Sequence, residues 1–276
     1  MTRRTALKSS IAWSDAEHIS VWGHDLTREL IGRVNLGDMG FLEVCGRLPD
    51  ARESRMFNAL VVTLVEHGIV PSTLAARMTV AGAPEAMQAA VAAGLLGLGS
   101  VFVGSTEQVA RLLYEALPPD AKDPPLREIA HRIVDEYRAA KRILPGLGHP
   151  IHKPVDPRTV RLFAIARSTG FSGHYVELVK LIAKRAEKLL QRPLPINATG
   201  AIGAIACEMG IPWQACRGLG VMARAVGLVG HALEEMRQPI AVEVWHRVEE
   251  EAGAELRAAH AVAQAKPRQR GPRRKP

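Results

Sequence analysis

Residues 146–158 read GLGHPIHKPVDPR, and this stretch separates two long helix-rich parts of the chain. Pro150, Pro154 and Pro157, with Gly146 and Gly148, forbid a continuous helix. His149, His152 and Lys153 therefore sit on irregular backbone between two helical segments. On the downstream side Asp156 is placed to cap a helix, Pro157 occupies its first position, and Arg158 points outward from its first turn. A loop so built is a candidate ligand loop.

Working outward, helical punctuation recurs along the chain. A Ser14–Glu17 capping box predicts a helix to about Leu30, and Asp50–Glu53 opens another with Met56, Leu60, Leu64 and Val65 on one face before Gly68. Pro84 is expected to start a Gly/Ala-rich helix, and Ser105–Gln108 to cap TEQVARLLYEAL. Further helical patterns cover about 125–142, 157–168, 173–190, 199–209, 213–236 and 241–263. No convincing alternating strand is found, so the fold class is all-α. Glycines such as Gly94, Gly200, Gly203 and Gly227 lie inside helical patterns, where each costs about 1 kcal/mol against Ala, and close helix approach is the usual compensation. PPDAKDPPLRE (118–128) is the clearest break in composition. The expected division is a large domain from 1–105 and 216–265, a small domain from 106–215, and a basic tail, 266–276, with no apolar residue to fold on.

The chain has 276 residues, 47% of them apolar, enough for a substantial core. No apolar run succeeds the N-terminal basic residues, which argues against a secretory signal, and AAVAAGLLGLGSVFVG (89–104) is too short and Gly-rich for a membrane span. Cys45, Cys207 and Cys216 form no CxxC pair, which fits a reducing cytoplasm. The net charge of +8 suggests nucleic acid until it is located: Lys266, Arg268, Arg270, Arg273, Arg274 and Lys275 account for six, leaving +2. With few aromatic platforms, the tail reads as a solvated end rather than a nucleic-acid site.

The polar residues of the central loop suit an anion. Arg158 could clamp a carboxylate in two parallel hydrogen bonds, Lys153 could meet phosphate, and His149 could donate to a carbonyl oxygen or move a proton. The alternative is a His149 satisfied by backbone and an Arg158 on a solvated face. An HxxH metal site at His149 and His152 lacks a Cys or carboxylate at ligand spacing, so no metal is expected. Two more polar points stand in apolar surroundings: His67 in LVEHGIVPST and Arg224 in GVMARAVGLVGHALEE. The alternatives there are a helix-dipole histidine and a snorkelling arginine. Two arginines and two histidines together suggest a di- or tricarboxylate.

These segments resemble a known family. ILPGLGHPIHKPVDPRTVRLFAIA resembles the GxGHxxxKxxDPR signature of citrate synthases, LVEHGIVPSTLAAR their DHxxNASTxAAR segment, and GVMARAVGLVGHALEE their FAxARxxGWxAHxxEQ helix. The order holds from about residue 55 to 240. LPINATGAIGAI and GLLGLGSVFVG are similar to LNVDGLIG and GLLTIGDRFGG of the citryl-CoA lyase branch, which includes the C-terminal module of ATP-citrate lyase. The resemblance implies a citrate synthase-like helical fold with the active site in a cleft between two domains. It also implies an enzyme that cleaves or forms the bond between acetyl-CoA and oxaloacetate or a related 2-oxo acid.

Residue by residue, it implies that His149 meets the carbonyl or hydroxyl oxygen, that Arg158 and Arg224 grip carboxylates, and that His67 also binds the polycarboxylate. Leu144, Pro145, Gly146, Leu147 and Gly148 would receive the adenine of coenzyme A, with Lys153 and Arg192 near its phosphates. A homodimer with shared sites is implied, Arg237 being the candidate to reach across. Two positions depart from the pattern: Phe102 stands where a synthase has the HGGAN histidine, and Thr199 where the family has the aspartate of NVDG. Threonine does not titrate near neutral pH, so catalysis at position 199 needs a substitute such as Glu107, Glu208 or His231. The alternative is a degenerate or re-purposed homologue that binds coenzyme A or a polycarboxylate but turns over slowly, or on a different acyl group.

Overall fold

The computed structural model describes residues 7–101, 103–149 and 152–265. Among these, eleven α-helices succeed a small N-terminal sheet. The sheet is antiparallel, in the order β1 (Ala12–Ser14), β2 (Ile19–Val21), β3 (His24–Asp25), with Trp13 opposite Ser20. It replaces the helix expected from Ser14 to Leu30. The reason is local: Asp15 Oδ1 accepts the N–H groups of Glu17 and His18 at 2.9 and 2.8 Å, closing a turn where a helix would begin. Trp22 and Gly23, both at positive φ, make the next reversal. A π-helical turn, Leu26–Leu30, comes next, capped by Asp25.

The helices are α1 (Leu36–Cys45), α2 (Ala51–Val65), α3 (Pro71–Gly82), α4 (Met87–Leu96), α5 (Gly104–Ala116), α6 (Leu126–Ala139), α7 (Pro157–Thr169), α8 (His174–Leu190), α9 (Ala198–Glu208), α10 (Cys216–Arg237) and α11 (Ala241–Ala265). The capping box of α2 is present: Glu53 N–H donates to Asp50 and Asp50 N–H donates to Glu53, both at 2.8 Å. Its face buries Met56, Phe57, Leu60 and Leu64, with Val65 packed at the margin. Two starts differ from expectation. Helix α4 begins at Met87 rather than Pro84, and α5 at Gly104, so Ser105 lies inside the first turn and makes no cap.

Two compact units are present. One comprises the described residues up to Gly68 with Leu95–Gly227; the other comprises Ile69–Gly94 with the residues from Leu228 onward. In the first unit α5 packs along α9 and α8, and α6 along α8, around Leu113, Leu178, Ile202 and Ile205, all fully buried. In the second, Arg77 of α3 is almost wholly buried, with ion pairs to Glu234 and Glu235 of α10 and a hydrogen bond to His231 Nδ1. Glu235 also accepts the N–H groups of Ile240 and Ala241, tying the start of α11 to the same network. No helix among the described residues is long and apolar enough to cross a membrane.

Candidate active site

The central loop is clamped onto the start of α9. Gly146 and Gly148 take φ of +77° and +79°, which only glycine adopts at little cost. Gly148 N–H donates to Pro195 O at 2.7 Å and Asn197 N–H to Gly146 O at 3.0 Å, around a Leu147–Ile196 bridge. Asn197 caps α9 through Gly200 N–H and also donates its side-chain amide to Gly148 O at 2.8 Å. The two backbones meet at Gly146 and Gly200, where a Cβ on Gly146 would stand 2.7 Å from Gly200 Cα and one on Gly200 would overlap the Gly146 carbonyl. Gly200→Ala is therefore expected to cost about 1–3 kcal/mol, as overpacking does. Chemical denaturation of the variant measures it, and an unchanged midpoint would show that the loop shifts freely.

Asp156 is the pivot of the site. Fully buried, it caps α7 and accepts Arg158 Nε at 3.0 Å, Arg158 Nη2 at 2.8 Å and Ala198 N–H at 3.1 Å. Burial works to raise its pKa, but the hydrogen bonds and charge of Arg158 outweigh burial and hold the carboxyl below its usual range. Arg158 is thereby fixed with Nη2 3.3 Å from His149 Nε2. His149 stacks on His152 at 4.4 Å between centroids and faces His67 at 5.9 Å. Its Nδ1 accepts the His152 N–H at 3.0 Å, while its Nε2 faces the Arg158 guanidinium.

Arg224 completes the set. It is 7% exposed, and its Nε and Nη1 have no hydrogen-bond partner among the described residues. Burial works against its charge, offset in part by the Glu66 carboxylate. The pKa of His67 is lowered by desolvation, then by the charges of Arg158 and Arg224 and by His152; that of His149 by burial, His152 and Arg158. Both rings thus stay neutral to a lower pH than an ordinary histidine, in a field that favours an anion.

These shifts give stability a definite pH dependence. A histidine whose folded pKa lies below its unfolded value contributes stability above the unfolded pKa, near 6.5, and loses it as pH falls towards the folded value. Thermal melting without ligand should show stability falling as pH drops through that window. The fall should be smaller in a His67→Gln, His149→Gln double variant; an equal fall would place the titration elsewhere.

Beside His149 opens a groove of about 880 Å³. Leu144, Leu147, Gly148, Lys153 and Arg192, the candidates named for the coenzyme, line it, while Pro145 and Gly146 are not among its lining. Arg138, Lys141 and Arg142 add three cations that the sequence patterns did not single out, because on a helix end they look like a solvated charge run. Leu189, Leu190 and Pro193 supply an apolar wall.

Thr199 is wired to the loop. Its Oγ1 donates to Asn197 Oδ1 at 2.7 Å and accepts from Ser105 Oγ at 3.1 Å. The suggested substitutes for a carboxylate are engaged elsewhere: Glu107 pairs with Arg217 at 2.6 Å, Glu208 accepts Val176 N–H at 2.9 Å, and His231 belongs to the Arg77 network of the other unit. Arg237 also lies in that unit, its Nε donating to Leu233 O. Phe102 is outside the described residues. Nitrogens of His67, His149 and His152 lie within 4.8 Å of one another, so a third possible metal ligand arrives from a distant helix end. The His152 N–H on His149 Nδ1 and the nearby arginines work against a cation there.

His67, His149, Arg158 and Arg224 all belong to one compact unit, so their convergence is a property of that unit alone. The arrangement defines an all-α protein with a cationic, histidine-lined cluster beside a basic groove. The chain belongs to the citrate synthase family: the pattern described as "Citrate synthase, C-terminal domain" matches residues 38–243. The solved citryl-CoA lyase from Hydrogenobacter thermophilus is 34% identical, with a TM-score of 0.76, covering 85% of this chain and 88% of that one. The ATP citrate lyase from Methanothrix soehngenii, solved with citrate and coenzyme A, shares the fold at 22% identity and a TM-score of 0.69, over 86% of this chain and 40% of its own. A probable ATP-citrate synthase of Dictyostelium discoideum is 24% identical over 254 residues, 84% of this chain and 39% of that protein. The citrate synthase of Synechocystis sp. is 26% identical over 194 residues, 68% of this chain and 46% of its own length. The chain thus spans less than half of these two curated relatives.

Proposed function

We propose that the chain is a citryl-CoA lyase-like enzyme, cleaving or forming the bond between acetyl-CoA and oxaloacetate or a related 2-oxo acid. One observation carries this: a buried Arg224 with unanswered N–H groups converges with His67, His149 and Arg158. Buried N–H groups of a cation left unanswered are costly, and a polycarboxylate supplies acceptors for them. Arg158 and Arg224 hold its carboxylates and His67 adds a further contact. In cleavage the tertiary hydroxyl loses its proton and becomes a carbonyl. The C–C electron pair passes to the acetyl thioester as an enolate, and that carbon then takes up one proton. His149 hydrogen-bonds the oxygen that alternates between hydroxyl and carbonyl.

Coenzyme A would lie in the groove, its adenine on the Leu144–Gly148 backbone, with Lys153 and Arg192 towards its phosphates. The family resemblance supports a homodimer, Arg237 reaching across, and a division at 105/106 and 215/216 between the parts that close on the ligand. Cytoplasmic location belongs to the same reading. A second reading, binding without turnover, is favoured by Thr199 standing where the family has an aspartate.

Calorimetric titration with coenzyme A and a panel of di- and tricarboxylates, beside a citryl-CoA cleavage assay, tests both. Binding of both ligand classes with cleavage supports the first reading. Binding without cleavage leaves the second, and no binding of either class overturns both.

A further inference from the structure

Helix α11 is 25 residues long, and from Trp245 to Gln264 every residue except the half-buried Gly253 is exposed. A single helix left uncovered is marginal in water, and this one is not polar all round. Trp245, Val248, Ala252, Leu256, Ala259 and Val262 recur at intervals of three and four, forming one stripe. Leu256 is 77% exposed and Val262 63%. Trp245, Ala252 and Ala259 are seven apart, and alanines at that repeat let a second helix approach closely.

The charges are divided along the same axis. Glu249, Glu250, Glu251 and Glu255 lie in the first part of the helix, and none has an ion-pair partner among the described residues. Beyond Ala265 the sequence adds Lys266, Arg268, Arg270, Arg273, Arg274 and Lys275. The tail alone cannot cover the stripe, because it has no apolar residue. An antiparallel copy of the same helix can. Centred on Ala259, such a pair sets Leu256 of one copy against Val262 of the other, and the end of each helix from which the basic sequence continues lies towards Glu249–Glu251 of the other. A parallel pair would stack like charges instead.

The geometry points to α11 as a self-association surface whose partner is α11 of a second copy of this chain, antiparallel, locked by the basic tail of each copy on the acidic segment of the other. It rests on the homodimer proposed with the function and gives it a specific mode, and the two can fail separately.

The test is sedimentation equilibrium of the full chain at about 0.05 and 0.5 M salt, where screening differs severalfold. Three variants are compared with wild type: Leu256→Asp; Glu249→Lys with Glu250→Lys and Glu251→Lys; and Lys266→Glu with Arg268→Glu and Arg270→Glu. Each is expected to raise the dimer Kd at low salt by about tenfold or more, and an equimolar mixture of the two charge-reversed variants to recover the wild-type value. Dimers unmoved by all three overturn this mode and leave the homodimer standing on another face. A monomeric wild type overturns both, and failed recovery in the mixture shows each tail folded on its own helix, which also overturns it. Helicity and coenzyme A affinity, read on the same samples, separate these outcomes from misfolding and from failure of the proposed activity.

Discussion

Replacing Arg224 by Met is expected to strengthen the unliganded protein while removing its affinity for polycarboxylates. The guanidinium is buried and two of its N–H groups go unanswered among the described residues. Each unsatisfied buried donor costs about 1–3 kcal/mol, and an apolar side chain of similar length removes that cost. The variant should therefore unfold at higher denaturant by an equivalent of about 1–3 kcal/mol. Binding moves the other way. Losing one partner of a buried charged pair costs about 2–5 kcal/mol, a fall in affinity of roughly thirty- to several-thousandfold. Urea unfolding with and without saturating citrate reads both at once. A wild type that gains stability from citrate beside a variant that does not is the expected pattern; equal gains in the two would place the anion elsewhere.

The second large effect is expected at Thr199. It occupies the second position of α9, just after the Asn197 cap, where helix N–H groups favour a negative charge by about 0.3–1 kcal/mol. Thr199→Asp should therefore fold. The carboxylate would lose the bond to Asn197 Oδ1 that the hydroxyl makes but could accept from Ser105 Oγ. It would restore a group able to exchange a proton with the acetyl carbon, and a positioned acid or base contributes about 10²–10⁴ in rate. Citryl-CoA cleavage is expected to rise by that range with coenzyme A affinity unchanged. A wild type without measurable cleavage beside an active variant would establish the binding-only reading. A fall in the variant would show that the Ser105–Thr199–Asn197 chain itself serves the reaction.

Particular residues show how much was legible in the sequence. Asp156, Pro157 and Arg158 could be placed at the start of α7 from sequence alone, and the structure puts the cap there. The Asp50–Glu53 box was equally plain, since both of its bonds are local. The N-terminal hairpin was misread because Ser14–Glu17 satisfies a helix pattern while Asp15 satisfies a turn. The alternation of Ile11, Trp13, Ile19 and Val21 was the available signal for strands. Ser105 failed as a cap because α5 starts at Gly104, two residues before Thr106, and its hydroxyl donates to Thr199 instead. Arg138, Lys141 and Arg142 were passed over because a charge on a helix end acquires meaning only from what faces it.

The sequence by itself determined where α2 and α6 to α11 run and singled out the polar side chains of the central loop, because caps, prolines and apolar periodicity act within a few residues of the backbone they govern. Only the tertiary structure decided that His67, His149, Arg158 and Arg224 share one space, that Asp156 holds Arg158 against His149, and that Arg224 Nε and Nη1 have no hydrogen-bond partner among the described residues. These are relations between residues up to 157 positions apart. Such distances are fixed by packing, and packing is set jointly by every helix that fills the core.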